Sequence, residues 1–139
     1  MYICKMKKSL VLLSVVIALA ACNNSNEKIK ERITGSDSVA INYFKGDGSI
    51  DTVIAVKIIR DTKTINELAT LIAAKKSSGN FKCGYDGSLH FFKMSRVIQD
   101  VNFKMNDANC LHFSFPQEGK ITATRLSPEA KQLLESLKK

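Results

Sequence analysis

The sequence lacks the short motifs that mark several enzyme classes. It contains no G-x-S-x-G, H-E-x-x-H or S-x-x-K pattern, and no glycine-rich loop that could hold a phosphate group. A hydrolase needs a nucleophile, a base and an orienting acid, and no such set stands together along the chain. The aspartates lie mostly in turn-like segments, where local backbone hydrogen bonds explain them. We therefore expect a protein without catalytic activity and without a cofactor.

The chain also lacks the length and the repeats of larger architectures. Its 139 residues suffice for one domain at most, which excludes a multidomain enzyme or a repeat array. A charged fraction of 24%, beside 45% hydrophobic residues, excludes global disorder. A long apolar run occurs once, near the N-terminus, and no second one follows it.

That apolar run has the features of a secretory signal peptide. The basic residues Lys5, Lys7 and Lys8 precede it, and residues 10–19 are apolar except for Ser14. The run falls short of the about 20 residues that a comfortable membrane span requires. Met1 and Met6 are both possible starts, and the signal remains with either one.

The segment Leu19-Ala20-Ala21-Cys22 resembles the lipobox of bacterial lipoproteins. In that family the peptide is cut just before the cysteine, whose thiol is diacylated. The resemblance implies a signal peptide over residues 1–21 and lipidation of Cys22. It also implies stable membrane anchoring, because two or three acyl chains bind a membrane stably whereas a single chain binds only marginally. The whole layout is similar to small lipoproteins of Bacteroidetes-type bacteria. The lipobox implies a location in the bacterial cell envelope. Under the lipoprotein sorting of enteric bacteria, Asn23 after the lipidated Cys22 implies the outer membrane, with the domain facing the periplasm or the cell surface.

Removal of the signal peptide lowers the positive charge of the chain. The full sequence carries a formal charge of +8, whereas residues 22–139 carry 18 basic and 13 acidic side chains, a net charge of +5. The basic residues are spread in ones and twos, which is typical of a solvated surface. Together with the export signal, this spread argues against a nucleic-acid partner.

Two further cysteines, Cys83 and Cys110, remain as an even pair. Because an exported compartment is oxidising, we expect a disulfide between them. Such a bond closes a loop of about 28 residues and contributes roughly 3–4 kcal/mol. Free or intermolecular thiols are the second interpretation. A zinc site of Cys83, His90, Cys110 and His112 is the third, although the spacing matches no short ligand pair. Otherwise both histidines are expected to be partly exposed or to lie at the edge of the core.

The sequence predicts one globular α+β domain over residues 37–139. Residues 22–36 are polar with only two isoleucines, which predicts a lipidated cysteine followed by a tether. The periodicity beyond them predicts the order β-β-α-β-β-β-β-α, with an antiparallel sheet of about six strands. The β-branched run Ile50 to Ile59 is apolar on both faces, which predicts a central place in that sheet.

Two helices are predicted in this domain. A capping box from Thr64 to Glu67 predicts a helix over residues 64–76, with its apolar face packed on the sheet. Ser127 as the N-cap and Pro128 at the first helical position predict a C-terminal helix over residues 127–138.

These features favour an envelope-anchored domain that binds a protein or an envelope component, whose identity the sequence leaves open. Residues 81–87 (Phe-Lys-Cys-Gly-Tyr-Asp-Gly) resemble the opening of the β-meander in periplasmic lysozyme inhibitors. This resemblance implies an alternative, an inhibitor or immunity-type protein that blocks a hydrolase or a toxin. An inhibitor would present a protruding loop, at Asp86-Gly87-Ser88 or Ser95-Arg96. A binding domain would expose an apolar patch, and an enzyme would place His90 or His112 beside an acid in a cleft.

Overall fold

A computed structural model describes residues 24–46, 52–77 and 82–139 of the chain. The predicted signal peptide, the lipobox and Cys22 lie outside these residues. The helices and strands, in chain order, are α1 (Asn24–Thr34), β1 (Ser38–Phe44), β2 (Val53–Ile59), α2 (Thr62–Ile72), β3 (Gly87–Lys93), β4 (Arg96–Lys104), β5 (His112–Gln117), β6 (Lys120–Arg125) and α3 (Pro128–Lys138). Among the described residues, no helix is both long enough and apolar enough to cross a bilayer.

The six strands form one antiparallel sheet in the order β2-β1-β3-β4-β5-β6. Strands that follow one another along the chain are neighbours in the sheet, except β2 and β3. The connection between those two contains α2 and passes over β1, which lies between them. The predicted α+β class and order of strands are confirmed.

One face of the sheet carries the helices and forms the core. Alternate residues of each strand point to this face, and the largest are fully buried: Ile41, Tyr43, Leu89, Phe91, Phe103, Phe113 and Phe115. The α2 helix packs Ile65, Leu68 and Ile72 against them. The hydroxyl of Tyr43 donates to the carbonyl oxygen of Leu134 at 2.6 Å and so joins the sheet to α3. Burial raises the pKa of Tyr43 to about 12.

The first helix, α1, lies where the sequence predicts a polar tether, and that prediction is wrong for residues 24–34. Ile29 and Ile33 stand four residues apart, so they share one face of a helix. Both are buried, at 2% and 0% exposure, in the same core as the sheet. The guanidinium of Arg32 also donates to the side-chain oxygen of Gln99 on β4 at 3.1 Å. The globular domain therefore includes α1.

The helix predicted over residues 64–76 is α2, and it begins and ends earlier than expected. Its N-cap is Asp61, whose carboxylate accepts from the backbone N–H of Thr64 at 3.1 Å and from the Thr64 hydroxyl at 2.7 Å. Thr64 is therefore the third helical residue and not the cap. At the other end, Lys75 to Ser77 pair with β6 through two backbone hydrogen bonds of 3.0 and 2.9 Å. This pairing replaces the last helical turn that the sequence predicts.

The predicted C-terminal helix is confirmed as α3. The hydroxyl of Ser127 accepts from the backbone N–H of Ala130 at 3.2 Å, as an N-cap does, and Pro128 begins the helix. Ala130 and Leu134 are buried against the core.

The strand predicted over residues 50–59 is β2, and it forms an edge of the sheet and not its centre. One of its faces contacts α3. On the other face Ile54, Val56 and Ile58 remain 53%, 55% and 49% exposed. The prediction of a central position is wrong because a run that is apolar on both faces does not reveal whether its second face is covered.

Candidate functional site

The sheet face opposite the helices, here called the open face, carries the side chains that the core does not use. Strand register aligns them in rows across the sheet. One row contains Ile58, Ala40, His90 and Asp100, and the next contains Val56, Asn42, Ser88, Asn102, Ser114 and Ala123. The open face is therefore apolar toward β2 and polar at its centre.

Three aliphatic side chains on β2, Ile54, Val56 and Ile58, form the apolar stripe of this face. They occupy alternate positions of one strand, so they point the same way and lie side by side. Isolated exposed aliphatic residues are common on protein surfaces, whereas a contiguous apolar patch marks an interaction site. The stripe is such a patch on the open face.

A groove of about 490 Å³ continues the apolar stripe toward the turn between β3 and β4. Ile58, Ala40, Phe92 and Met94 line it with apolar atoms, and Asp37 lies at its rim. Val97 pairs with Phe92 across the strands and is 49% exposed. Ser38, Arg60 and Ser95 also line the groove, so its surface between the sheet edge and the hairpin is of mixed polarity.

A directed chain of hydrogen bonds crosses the centre of the open face. The Asn42 amide donates to the Ser88 hydroxyl at 3.3 Å, and Ser88 Oγ lies 3.1 Å from His90 Nε2. His90 Nδ1 lies 2.6 Å from a carboxylate oxygen of Asp100. Because a carboxylate only accepts, Nδ1 donates, and in the neutral ring Nε2 accepts from Ser88. These four residues, which come from two neighbouring rows of the open face, are together named the polar row below.

The polar row contains a serine, a histidine and an aspartate in the order found in nucleophilic hydrolases. From the sequence, an enzyme is expected to place His90 beside an acidic side chain inside a cleft. His90 and Asp100 lie instead on a sheet face, with side chains 34% and 55% exposed. Ser88 is only 6% exposed, which denies a substrate carbonyl the approach that acyl transfer requires. The row fits a fixed polar network better than a nucleophile.

The disulfide between Cys83 and Cys110 is present, with the Cα atoms 6.4 Å apart. It removes both thiolates from the zinc site that was the third interpretation of these residues. The histidines are also engaged elsewhere: His112 Nδ1 donates to the carbonyl oxygen of Cys110 at 2.7 Å, and His90 belongs to the polar row. The four residues therefore do not converge on a metal ion.

His112 is 1% exposed. It is therefore buried at the edge of the core, which is one of the two positions that the sequence predicts. Burial lowers its pKa, the Lys104 ammonium lowers it further, and the hydrogen bond to Cys110 acts in the opposite direction without reversing the shift. The ring of Tyr85 lies 5.8 Å from the His112 ring, and its hydroxyl lies 2.9 Å from Ser114 Oγ. Tyr85 thus covers this end of the open face.

Asp86, one of the residues expected in an inhibitory loop, is a buried structural anchor. Its carboxylate accepts from the backbone N–H groups of Met105 and Asn106 at 2.7 and 2.9 Å, and from the Lys104 ammonium at 3.1 Å. Burial raises the pKa of this carboxyl, but the two amides and Lys104 outweigh burial and hold the pKa below its usual range. Asp86 is 2% exposed and Ser88 6%, so the loop predicted at Asp86-Gly87-Ser88 does not protrude.

Gly87 is the first residue of β3. A Cβ atom there would stand 2.4 Å from the carbonyl oxygen of Asn42 and 2.2 Å from the Phe103 ring. Only glycine therefore allows β1 and the Phe103 ring to approach this close.

The second expected loop, at Ser95-Arg96, does protrude. Met94 and Ser95 form the two-residue turn between β3 and β4, and both have positive φ, 51° and 66°. Such turns favour Asn-Gly, because other residues pay about 1 kcal/mol or more for this conformation. Asp37 stabilises the turn by accepting from the Met94 backbone N–H at 3.0 Å. Met94 is 81% exposed at the tip.

The helical side of the molecule contains a larger groove, of about 760 Å³, between α2 and α3. Its lining combines Lys63, Glu67 and Glu129 with Leu71 and Leu133. Among the described residues, every buried side-chain nitrogen or oxygen has a hydrogen-bond partner. No orphaned group in that part of the chain therefore points to a missing ligand.

Sequence reasoning missed the apolar stripe as a site, although its signal was visible. The alternation of Ile54, Val56 and Ile58 is plain in the sequence, but its assignment to a surface requires knowing that β2 lies at the edge. The polar row was missed because its members lie on three strands and meet only through strand register: Asn42 stands 46 residues before Ser88, and Asp100 stands 10 residues after His90. Comparison of the chain with protein-family models, curated proteins and solved structures found no match.

Proposed function

We propose that this chain is a lipid-anchored envelope protein whose domain binds a protein partner through the apolar stripe and catalyses no reaction. The observation that carries the proposal is the half-exposed apolar stripe on an edge strand. Burial of apolar surface drives most protein association, and an exposed strand edge can also hydrogen-bond an added strand. The anchor rests on the likeness of residues 19–22 to a lipobox.

The charges around the apolar stripe indicate the chemistry of the partner. Exposed cations stand at both ends: Lys45 near the start of β2, and Arg60, Lys93 and Arg96 near its end and the hairpin. Opposite charges around an apolar centre accelerate association and select partners. The proposed partner surface is therefore apolar at its centre and carries acidic groups opposite Arg60, Lys93 and Arg96.

The binding proposal is tested by capture from cell-envelope extracts with three forms of the full chain. These are the wild type, a stripe variant (Ile54→Ser with Val56→Ser), and Ile121→Ser as the matched control. Ile121 is 72% exposed on β6, at the opposite end of the same sheet. We expect a protein that the wild type and the control retain and the stripe variant loses, with retention falling as salt rises. Identical captured sets for all three forms would contradict the proposal.

The anchor is tested separately by fractionation of cells that produce the wild type or Cys22→Ala. The lipidated chain should sediment with membranes, and the variant should shift to the soluble fraction or keep an uncleaved signal. Equal recovery of both forms in the soluble fraction would rule out the anchor without affecting the binding proposal.

A second candidate function, inhibition of a hydrolase or toxin, is favoured by the hairpin at Met94 and Ser95. An exposed apolar tip held in a left-handed turn suits insertion into a cleft. Replacement of the two residues by Asn-Gly keeps the turn and removes the Met94 side chain. Inhibition of a target hydrolase that survives this replacement unchanged would contradict the assignment of the hairpin.

A further inference from the structure

The two edge strands of the sheet, β6 and β2, differ in whether another segment pairs with their outer side. At β6, residues 75–77 run alongside the strand and hydrogen-bond its outer side. At β2, among the described residues, only β1 pairs with the strand, on its inner side. An uncovered, apolar strand edge is a template for pairing with another chain. The edge at β2 is therefore built for a further strand.

We infer that this further strand is β2 of a second copy of the same chain, paired antiparallel about a two-fold axis at Val56. This inference goes beyond the proposed function and does not depend on it. Val56 is the middle residue of Val53–Ile59, so this register pairs all seven residues of the strand. Val53 then faces Ile59, Ile54 faces Ile58, and Val56 faces Val56 of the second copy.

The side chains of β2 complement one another best in this register. Every cross-strand pair is aliphatic except Lys57, which faces the small Ala55 and so has room for its stem. A shift of the axis by one residue to Lys57 places two ammonium groups directly opposite each other, which is destabilising. That shift, like the opposite one to Ala55, also leaves only five pairs. The sequence Ile54-Ala55-Val56-Lys57-Ile58 thus favours the symmetric pairing about Val56.

The inferred dimer joins the two sheets into one of twelve strands and leaves both open faces on the same side. The two apolar stripes then lie next to each other across the axis, where aliphatic cross-strand pairs stabilise a sheet. Since one strand pair buries less than the roughly 800 Å² per partner of stable complexes, we expect a dimer that forms and dissociates readily. The inference does not require the proposed lipid anchor, but an anchor that holds both copies on one membrane would raise their effective concentration.

Cysteine cross-linking of the full chain in cells tests the register. The axis at Val56 brings the two Cβ atoms of this residue to about 4.5–5.5 Å, within reach of a disulfide after a small adjustment. Val56→Cys should give a covalent dimer at several times the yield of Ile121→Cys, the exposed control on β6. Ile54→Cys and Ile58→Cys should each cross-link poorly alone, but well with each other when produced on separate chains.

Each outcome bears on the inference. Equal dimer yields from Val56→Cys and Ile121→Cys would overturn it, because both then report random collision. Equal yields from the single variants at 54, 56 and 58 would overturn the register. Cross-linking of Val56→Cys to a different protein, without the covalent dimer, would overturn the inference and support the proposed function. All four substitutions lie at exposed positions, so loss of folding does not confuse the result.

Discussion

Replacement of Asp86 by alanine tests whether this residue is a structural anchor or an exposed binding residue. The change removes three hydrogen bonds, two from backbone N–H groups and one from the Lys104 ammonium. It leaves the Lys104 side chain, 11% exposed, without its counter-charge. Breaking a buried ion pair on one side costs about 3–5 kcal/mol. Because small domains are stable by only about 5–15 kcal/mol, we expect Asp86→Ala to lose a large part of the free energy of unfolding.

Urea unfolding with the disulfide intact measures this loss. The pair Asp86→Ala with Lys104→Met is the informative control, since removal of both charges should recover part of the stability that the single change loses. A loss below about 1 kcal/mol for Asp86→Ala would refute the reasoning, because exposed charged contacts have that magnitude.

The same residue shapes the acid dependence of stability. The pKa of Asp86 is depressed in the folded protein, so its contribution is complete above the unfolded value of about 3.9. It is lost as the pH falls through the folded value. Stability measured from pH 5 downward should therefore fall less steeply in Asp86→Ala than in the wild type, and equal slopes would contradict this assignment.

Three other changes test the rest of the fold. Ile33→Ala should lower the free energy of unfolding by about 2–5 kcal/mol, because Ile33 is fully buried. A change near zero, measured by urea unfolding, would show that α1 does not belong to the core. Replacement of Cys83 and Cys110 by serine should cost about 3.5 kcal/mol, since the bond closes residues 27 apart in sequence; an unchanged thermal midpoint would contradict it. The pKa of His112 is lowered in the folded state, so stability should fall as the pH drops below about 6.5; His112→Gln should remove that part of the pH dependence, and an unchanged profile would contradict the assignment.

Local patterns were enough to predict the order of elements but not the ends of α2. The capping box predicts Thr64 as the cap, but the actual cap is the side chain that reaches a free N–H group. Asp61 reaches that of Thr64, so the helix begins at Thr62. The end of the helix depends on β6, far along the chain, which pairs with residues 75–77. Such a tertiary contact has no trace in the local periodicity.

The prediction of a tether in place of α1 failed because the segment contains so few apolar residues. Two isoleucines among polar residues look insufficient to hold a helix on a core, and helix propensity alone does not decide the matter. Ile29 and Ile33 nevertheless bury completely, because α2 and β4 offer a surface that the isolated segment does not reveal.

The candidate site was less predictable than the fold. The alternation in β2 identifies Ile54, Val56 and Ile58 as one face, but their exposure follows from strand order, which depends on β1 pairing with β3. The Cys83–Cys110 pair, by contrast, was predictable from the number of cysteines and the expected oxidising compartment. Of the two loops expected of an inhibitor, Ser95-Arg96 protrudes, whereas Asp86-Gly87-Ser88 does not because Asp86 turns inward to Lys104.

Photo-cross-linking in living cells tests the central claim most directly. A photoreactive amino acid replaces Val56 in one strain and Ile121 in another, and irradiation is followed by identification of the adducts. Binding through the apolar stripe predicts an adduct between position 56 and a different protein, and a much weaker one at position 121. Adducts of position 56 with a second copy of the chain alone, or equal adducts at both positions, would contradict it.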